Sequence, residues 1–396
     1  MAKQNKPELL APAGNFPTLV TAINAGADAI YFGIQGFNMR ARAKNFTIKD
    51  LPKIKKLSQQ KTKKIKLYLT LNTIIYDNEL KKVETIIKKS KKYIDAIICS
   101  DISVMLLCKK YKVPFHISTQ CSISNTETAK FYKKLGAERI VLARELNLKQ
   151  IKQISKIIPT EVFIHGAMCI SVSGRCLISQ FAFNQSANRG QCIQPCRRPY
   201  TIKDNQNNEL KLENNYILSP KDLCALPFIE KLKNAGIKSF KIEGRNKEPE
   251  YVDTVVKTYR KAIDKKLTKK EIEQSLKNLN KVYNKGFSSG FLLDTPTSDD
   301  FSKVEHSSAT QKKQFIGKIT HYYPKLNVGL LKISKGPLKL NDNILIIGKT
   351  TGLIRTKINS MQINHKDINS ANKGDEVGLK LPKCRKGDEV YRIIKK

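Results

Sequence analysis

Four cysteines fall within one short stretch: Cys169, Cys176, Cys192 and Cys196, spaced C-x6-C-x15-C-x3-C, with 27 residues then separating Cys196 from Cys224. Structural zinc sites favour close C-x2-C pairs, and this stretch has none. Iron–sulfur clusters take four thiolates at family-specific spacings and tolerate long intervals. Spacing alone leaves three readings open: an iron–sulfur cluster, a zinc site, or ordinary buried cysteines. Arg175, Arg189, Arg197 and Arg198 flank the group, and positive charge of that kind favours thiolates and an anionic cluster. The other cysteines, Cys99, Cys108, Cys121 and Cys384, are scattered. The opening Met1-Ala-Lys-Gln-Asn-Lys-Pro7 lacks the apolar core of a signal peptide. The expectation is therefore a cytoplasmic protein whose clustered cysteines are metal or redox ligands, not disulfides.

A second set of chemistry-bearing residues sits on apparent strands. Side chains on a strand alternate between its two faces. Tyr68, Thr70 and Asn72 share one face, as do His116, Ser118 and Gln120; Glu161, Phe163 and His165; and Lys241, Glu243 and Arg245. Polar groups are too costly against a helix layer unless they are paired. These faces should point into a barrel and towards its C-terminal mouth, where barrel enzymes keep their chemistry. The bland alternative is an internal salt-bridge network that serves structure only.

The elements that must position these residues read as eight strand–helix units. Strands are expected at 8–11, 28–34, 65–72, 95–100, 114–120, 138–144, 160–166 and 238–244, each followed by an amphipathic run. The stretches 26–33, 136–143 and 236–243 echo one another at the helix-to-strand turn. The fold class is α/β: a (β/α)8 TIM-like barrel over 1–266 with a Cys-rich insert at 167–236. A doubly wound open sheet is the alternative. A helical segment and linker occupy 267–309. From 310 to 396, six short β-rich runs and the paired units Gly374-Asp-Glu-Val and Gly387-Asp-Glu-Val suggest a small C-terminal β-barrel, either an accessory binding domain or a stabilising one.

Composition narrows the class further. With 40% hydrophobic and 27% charged residues the chain supports a core, so a mostly disordered protein is excluded. No apolar run approaches the roughly 18–20 residues of a membrane span, and no membrane partner is expected. Lys and Arg number 73 against 34 Asp and Glu, a net charge of +39. A surface so basic favours polyanions such as RNA. Because lysines are spread along the chain, a general lysine bias of solvated helix faces explains the excess equally well.

Several segments together resemble the collagenase-like peptidase U32 family, and most closely its tRNA hydroxylation branch. They are Pro7-Glu-Leu-Leu-Ala-Pro-Ala-Gly-Asn15, Gly26-Ala-Asp-Ala-Ile-Tyr-Phe-Gly33, Ile117-Ser-Thr-Gln120, Leu142-Ala-Arg-Glu-Leu146, Glu161-Val-Phe-Ile-His-Gly-Ala-Met-Cys169, Ser173-Gly-Arg-Cys176 and Phe240-Lys-Ile-Glu-Gly-Arg245. The likeness spans residues 7–265 and continues into the C-terminal module. It implies an oxygen-independent hydroxylation that depends on an iron–sulfur cluster, expected to be 4Fe-4S, and on prephenate as co-substrate. The implied target is the wobble uridine of the tRNA anticodon, converted to 5-hydroxyuridine. Carried over by position, Cys169, Cys176 and Cys192 would be cluster ligands. Cys224 is preferred as the fourth, with Cys196 the alternative.

On that reading His116, His165 and Glu243 are candidates for proton transfer, with Gln120 orienting the substrate. Arg144 and Arg245 suit a dicarboxylate, since a guanidinium binds carboxylate bidentately. Asn72, Glu145, Arg175 and Lys241 complete the expected substrate-binding set, and Phe32, Tyr68 or Phe163 could stack a base or simply fill the core. Other readings are a U32-type peptidase, a hydroxylase of ribosomal RNA or a quinone precursor, and an RNA-binding protein stapled by a structural metal. A homologous partner subunit is also compatible. For the peptidase, no His-Glu-x-x-His motif is present; Gly286-Phe-Ser288-Ser-Gly290 matches G-x-S-x-G but lacks the preceding strand that a nucleophile elbow needs.

Overall fold

Alternation decides which side chains meet the helices. In the computed structural model, which describes residues 6–60, 64–210 and 216–396, Leu9, Ile30, Phe32, Leu67, Leu69, Phe240 and Ile242 join one core with helical Leu19, Val83, Val104 and Val252. Their strand neighbours Leu10, Ala29, Tyr31, Tyr68, Ala96 and Ile98 form a separate cluster on the opposite face. Two apolar layers of this kind are what a barrel wall surrounded by helices requires.

The strands are β1 (Glu8–Ala13), β2 (Ala29–Gly33), β3 (Lys66–Leu71), β4 (Ala96–Cys99), β5 (Phe115–Ile117), β6 (Arg139–Val141), β7 (Thr160–Gly166) and β8 (Ser239–Ile242). They pair in parallel in sequence order, and β8 pairs with both β7 and β1. This closes the barrel and excludes the doubly wound alternative, which would leave two open edges. A helix follows each strand, from Phe16–Ala25 after β1 to Pro249–Asp264 after β8. The echoed turns have a physical basis: Gly26 and Gly136 stop their helices with φ of 98° and 99°, a region that side chains rarely adopt.

One break in alternation matters. Between β7 and β8 the register shifts, so that Lys241 faces Phe163 while Ile242 faces His165. The extra residue turns His165 out of the barrel towards the helix layer, as β-bulges do.

The insert leaves the end of β7 and returns through the short strand Asp222–Cys224, which pairs antiparallel with β7 and parallel with Phe287–Ser288. The C-terminal module is an antiparallel sheet of eight strands around its own core of Ile316, Leu331, Ile344, Val377 and Val390. Its order runs Gly352–Lys357, Asn343–Gly348, Glu389–Lys395, Gln311–Tyr323, Val328–Ile333, Glu376–Lys380, Met361–Ile363 and Lys366–Asp367. The module is fastened to the barrel's last helix region by ion pairs. Arg355 lies 3.1 Å from Asp253, and Lys313 lies 3.1 Å from both Glu248 and Glu250.

Candidate active site

The barrel interior holds two polar tiers. In the lower one, Arg139 bridges Glu8 at 2.6 Å and Glu161 at 3.2 Å, Lys241 reaches Glu161 at 2.8 Å, and the Tyr68 hydroxyl donates to Glu8 at 2.8 Å. Two cations meet two carboxylates, so this tier is electrically balanced. Burial alone would raise the Glu161 carboxyl, but Lys241 and Arg139 overcome it and hold the group at about 2. His116 belongs to this tier, with its ring on the edge of Tyr68 and Nε2 3.5 Å from Glu138; burial pushes its pKa down.

The upper tier opens at the C-terminal mouth and is not balanced. A small chamber is lined there by Asn72, Ser118, Gln120, Arg144, Glu243 and Arg245, with Arg40, Phe163 and Lys241. Glu243 is paired with Arg40 at 2.8 Å. Burial works to raise the Glu243 carboxyl, yet Arg40, Arg144 and Lys247 together bring its pKa below the usual value. Arg144 donates to the Ala167 carbonyl at 2.9 Å and lies 4.0 Å over the Phe163 ring. Arg245 donates to Thr70 at 2.9 Å, to Asn38 at 2.6 Å and to Asn45. Neither guanidinium has a carboxylate partner among the described residues, and the Nε of each is buried without any hydrogen-bond acceptor. Burial pushes both downward, Arg245 to about 10.

Room for Arg245 is created by a missing side chain. A Cβ on Gly33 would stand 2.3 Å from its Nη2 and 2.8 Å from the Asn38 carboxamide carbon. Asn72 donates to Ser118 at 3.1 Å and to Gln120 at 3.2 Å, so the amides form a preset hydrogen-bonding edge. Above the chamber lies a cleft of about 1040 Å³ that Glu243 and Arg245 share with Cys192, Phe183 and Arg198 of the insert.

The nine thiols are all free. Cys169 is exposed just beyond β7, and Cys176, Cys192 and Cys196 are half-buried. The Cys192 sulfur accepts the Gln194 amide at 3.3 Å, and the Cys176 amide donates to Asn188 at 3.2 Å. Burial pushes the Cys196 thiol up to about 11, with Cys169, Cys192 and Cys176 adding to the effect against Arg197. Cys224 is raised to about 11 by burial and by Asp222, without a contribution from those cysteines. It pairs with His165 across the sheet and sits 3.7 Å from the Tyr259 hydroxyl. Cys196 thus lies within the insert beside the other three, and Cys224 on the strand that returns along β7; both positions for a fourth ligand stay open. Among the described residues, no three His, Cys, Asp or Glu side chains are already gathered around one point as metal ligands. Arg197 ties the two ends of the insert together, donating to the Met168 carbonyl at 2.9 Å beside Asp222 at 3.8 Å.

Of the residues singled out from sequence, Thr70, Asn72, Ser118, Gln120, Arg144, Phe163, Lys241, Glu243 and Arg245 meet at the chamber. The others do not. His116 lies in the lower tier. His165 faces Tyr251, Tyr259 and Phe287, and burial lowers it to about 3. Glu145 and Arg175 are exposed and line neither cavity.

The family model for peptidase family U32 matches residues 14–302. The chain belongs to that family. It is 40% identical over 409 residues to a collagenase of Porphyromonas gingivalis, covering 98% of each protein. It is 30% identical to the tRNA hydroxylation protein P of Escherichia coli, covering 80% of this chain and 81% of that one. To the 23S rRNA 5-hydroxycytidine C2501 synthase of Escherichia coli it is 41% identical over 65% of this chain and 39% of the relative.

The serine of the G-x-S-x-G stretch lies on the short strand Phe287–Ser288. Among the described residues, Ser288 accepts only the Gly290 amide, at 3.3 Å, and no histidine side chain hydrogen-bonds a Ser, Thr or Cys side chain. The U32 chamber also uses groups that strand patterning could not reveal: Arg40, Asn38 and Asn45 come from the loop after β2. The available signal was their position beyond a strand's C-terminal end, where barrel sites are built. No described helix is long and apolar enough to cross a membrane.

Proposed function

We propose that this U32 chain hydroxylates a pyrimidine base of RNA, with the wobble uridine of tRNA as first candidate and prephenate as co-substrate. The observation that carries the reading is the unbalanced chamber. A buried guanidinium, Arg245, and a half-buried one with its Nε enclosed, Arg144, both without carboxylates, would be costly in an empty protein, and together they match a ligand bearing two carboxylates. Arg144 and Arg245 would each take one carboxylate, with the bulk of the molecule in the cleft above, since the chamber itself encloses only about 60 Å³.

The donor set of the insert fits an iron–sulfur cluster: four thiols, no close zinc-type pair, and Arg197 and Arg198 beside them. Cys169, Cys176, Cys192 and, as proposed here, Cys196 would hold it, with Cys224 the alternative fourth ligand, and when bound it supplies one-electron redox chemistry next to the mouth. The chain's own groups account for the remaining requirements. Glu243, kept ionised by Arg40, is suited to accept a proton and not to donate one. The Asn72–Gln120 edge offers donors and acceptors to a base inserted from the cleft. An anticodon loop presents bases already partly unstacked, which lowers the cost of insertion. The relatives named as hydroxylases of tRNA and 23S rRNA support an RNA substrate.

The collagenase relative, which matches over nearly its whole length, favours a second reading as a peptidase. The absence of a nucleophile–base pair among the described residues weighs against it. Purified protein, reconstituted anaerobically with iron and sulfide, should add one oxygen atom to a pyrimidine of unmodified tRNA when prephenate and a chemical electron acceptor are supplied, since replacing C–H by C–OH removes two electrons. Modification of ribosomal RNA alone would redirect the substrate. Collagen cleavage abolished by Ser288→Ala, with no RNA product, would replace the reading.

A further inference from the structure

We infer that the groove between the barrel mouth and the C-terminal module is the track for the sugar–phosphate backbone of the RNA, an inference that rests on the RNA-hydroxylase reading above. The cleft over the mouth and a second cavity of about 440 Å³ share four wall residues: Asn246, Lys247, Glu248 and Tyr283. They form one continuous groove. It begins at Arg198 and Cys192 on the insert and ends at Arg355 and Lys396 on the C-terminal module.

The charges in the second cavity do not cancel. Its cations are Lys247, Lys281, Lys312, Lys313, Arg355 and Lys396, and its carboxylates are Glu248 and Glu250. Both carboxylates are taken by Lys313, and Arg355 is taken by Asp253. Lys281 and Lys396 bond only neutral oxygens, of Asn278 at 2.9 Å and Ser307 at 3.1 Å. Lys247 stands 3.1 Å over the Tyr283 ring. Among the described residues no acidic side chain forms an ion pair with Lys247, Lys281, Lys312 or Lys396.

Lysines on a convex helix face are ordinary solvation. A row of uncompensated lysines inside a groove is different, because low-dielectric walls focus its potential on whatever polyanion lies there. Arg42, Lys44 and Arg198 continue the row across the mouth. Two features suit nucleic acid more than an acidic peptide. The groove leads straight to the chamber that would receive the base, and Tyr283 and Phe183 offer ring faces along it, Phe183 with Arg198 4.5 Å above, as in grooves that bind single strands. The ion pairs that fasten the module keep both walls in place, so the track is preformed.

The test uses the full-length protein and the triple variant Lys281→Gln/Lys312→Gln/Lys396→Gln, none of whose residues touches the chamber. Binding of a tRNA transcript is measured across a salt series by fluorescence anisotropy, with poly-glutamate as a second anion. The expected result is at least about a tenfold loss of tRNA affinity at low salt. The slope of log K against log salt should fall by about 0.7–0.9 for each phosphate contact removed, while prephenate binding stays at wild-type strength. Wild-type slope and affinity in a variant of a protein that does hydroxylate RNA would overturn the track and leave the hydroxylase reading intact. Equal losses for tRNA and poly-glutamate would overturn the assignment to RNA. Failure of the wild type to bind any RNA would overturn both.

Discussion

Arg245 is the residue on which the chamber argument can be tested most sharply, because the ligand-binding and structural roles predict different outcomes for Arg245→Met. The side chain is only 4% exposed and its Nε has no acceptor. Of its partners among the described residues, only the Asn45 carboxamide oxygen loses its sole donor. Asn38 Oδ1 still accepts the Arg40 amide at 3.0 Å, the Asn45 amide still donates to the Arg40 and Ala43 carbonyls at 2.9 Å, and Thr70 still donates to Phe32 at 3.1 Å. Three hydrogen bonds to a charged group are lost, each worth about 1.5–3 kcal/mol, but the desolvation penalty of an unpaired cation, several kcal/mol, is lost with them. The net change in unfolding free energy should stay within about 2 kcal/mol in either direction. Prephenate should lose a charge-assisted contact of about 2–3 kcal/mol, or roughly 30- to 150-fold in affinity. Urea denaturation and isothermal titration read the two quantities separately. Destabilisation by more than about 3 kcal/mol with prephenate affinity unchanged would refute the reasoning and make Arg245 a structural group.

Three further outcomes follow from the same geometry. Gly33→Ala places a Cβ 2.3 Å from Arg245 Nη2; it should weaken prephenate about as much as Arg245→Met does, and wild-type affinity would mean that the guanidinium can move without consequence. His165 is held at about 3 by burial, against an ordinary 6.5, so below pH 6.5 the unfolded chain takes up a proton that the folded chain resists. Stability from this group is present above pH 6.5 and lost as pH falls towards 3. His165→Phe should flatten that limb of a pH–stability curve and keep RNA product formation, whereas complete loss of product in a folded variant would reinstate His165 in the chemistry. Iron and sulfide analysis after anaerobic reconstitution should show Cys196→Ser losing half or more of its iron and Cys224→Ser keeping it. The reverse pattern would return Cys224 to the fourth position.

Much of the chamber was legible because parallel barrel strands are covered on one face by helices. A polar residue in such a strand has one place to go, and Asn72, Lys241 and Glu243 went there. The same rule misplaced His165, since one extra residue in β7 inverts every later side chain and leaves no mark in composition. His116 obeyed the rule but lies one tier too low, opposite Tyr68 and Glu138, where alternation fixes direction and says nothing of depth. Arg40 has no periodic signal at all; its role comes from the partner it finds in Glu243. Cysteine spacing could not separate Cys196 from Cys224, because it does not show that Asp222–Cys224 returns as a strand beside β7 with its thiol near Tyr259. In the C-terminal module, strands as short as Lys366–Asp367 hold no alternation to read.

The central claim is that the thiol cluster and the cationic chamber together hydroxylate RNA. Its most direct test is mass spectrometry of nucleosides from total tRNA and ribosomal RNA. The host is a strain lacking its own tRNA hydroxylation proteins, carrying this gene, its Cys176→Ser variant or its Arg245→Met variant. The account predicts 5-hydroxyuridine or its derivatives with the wild type, none with Cys176→Ser and strongly reduced levels with Arg245→Met. Unmodified RNA with a folded, iron-loaded wild-type protein, or equal product from all three genes, would contradict it.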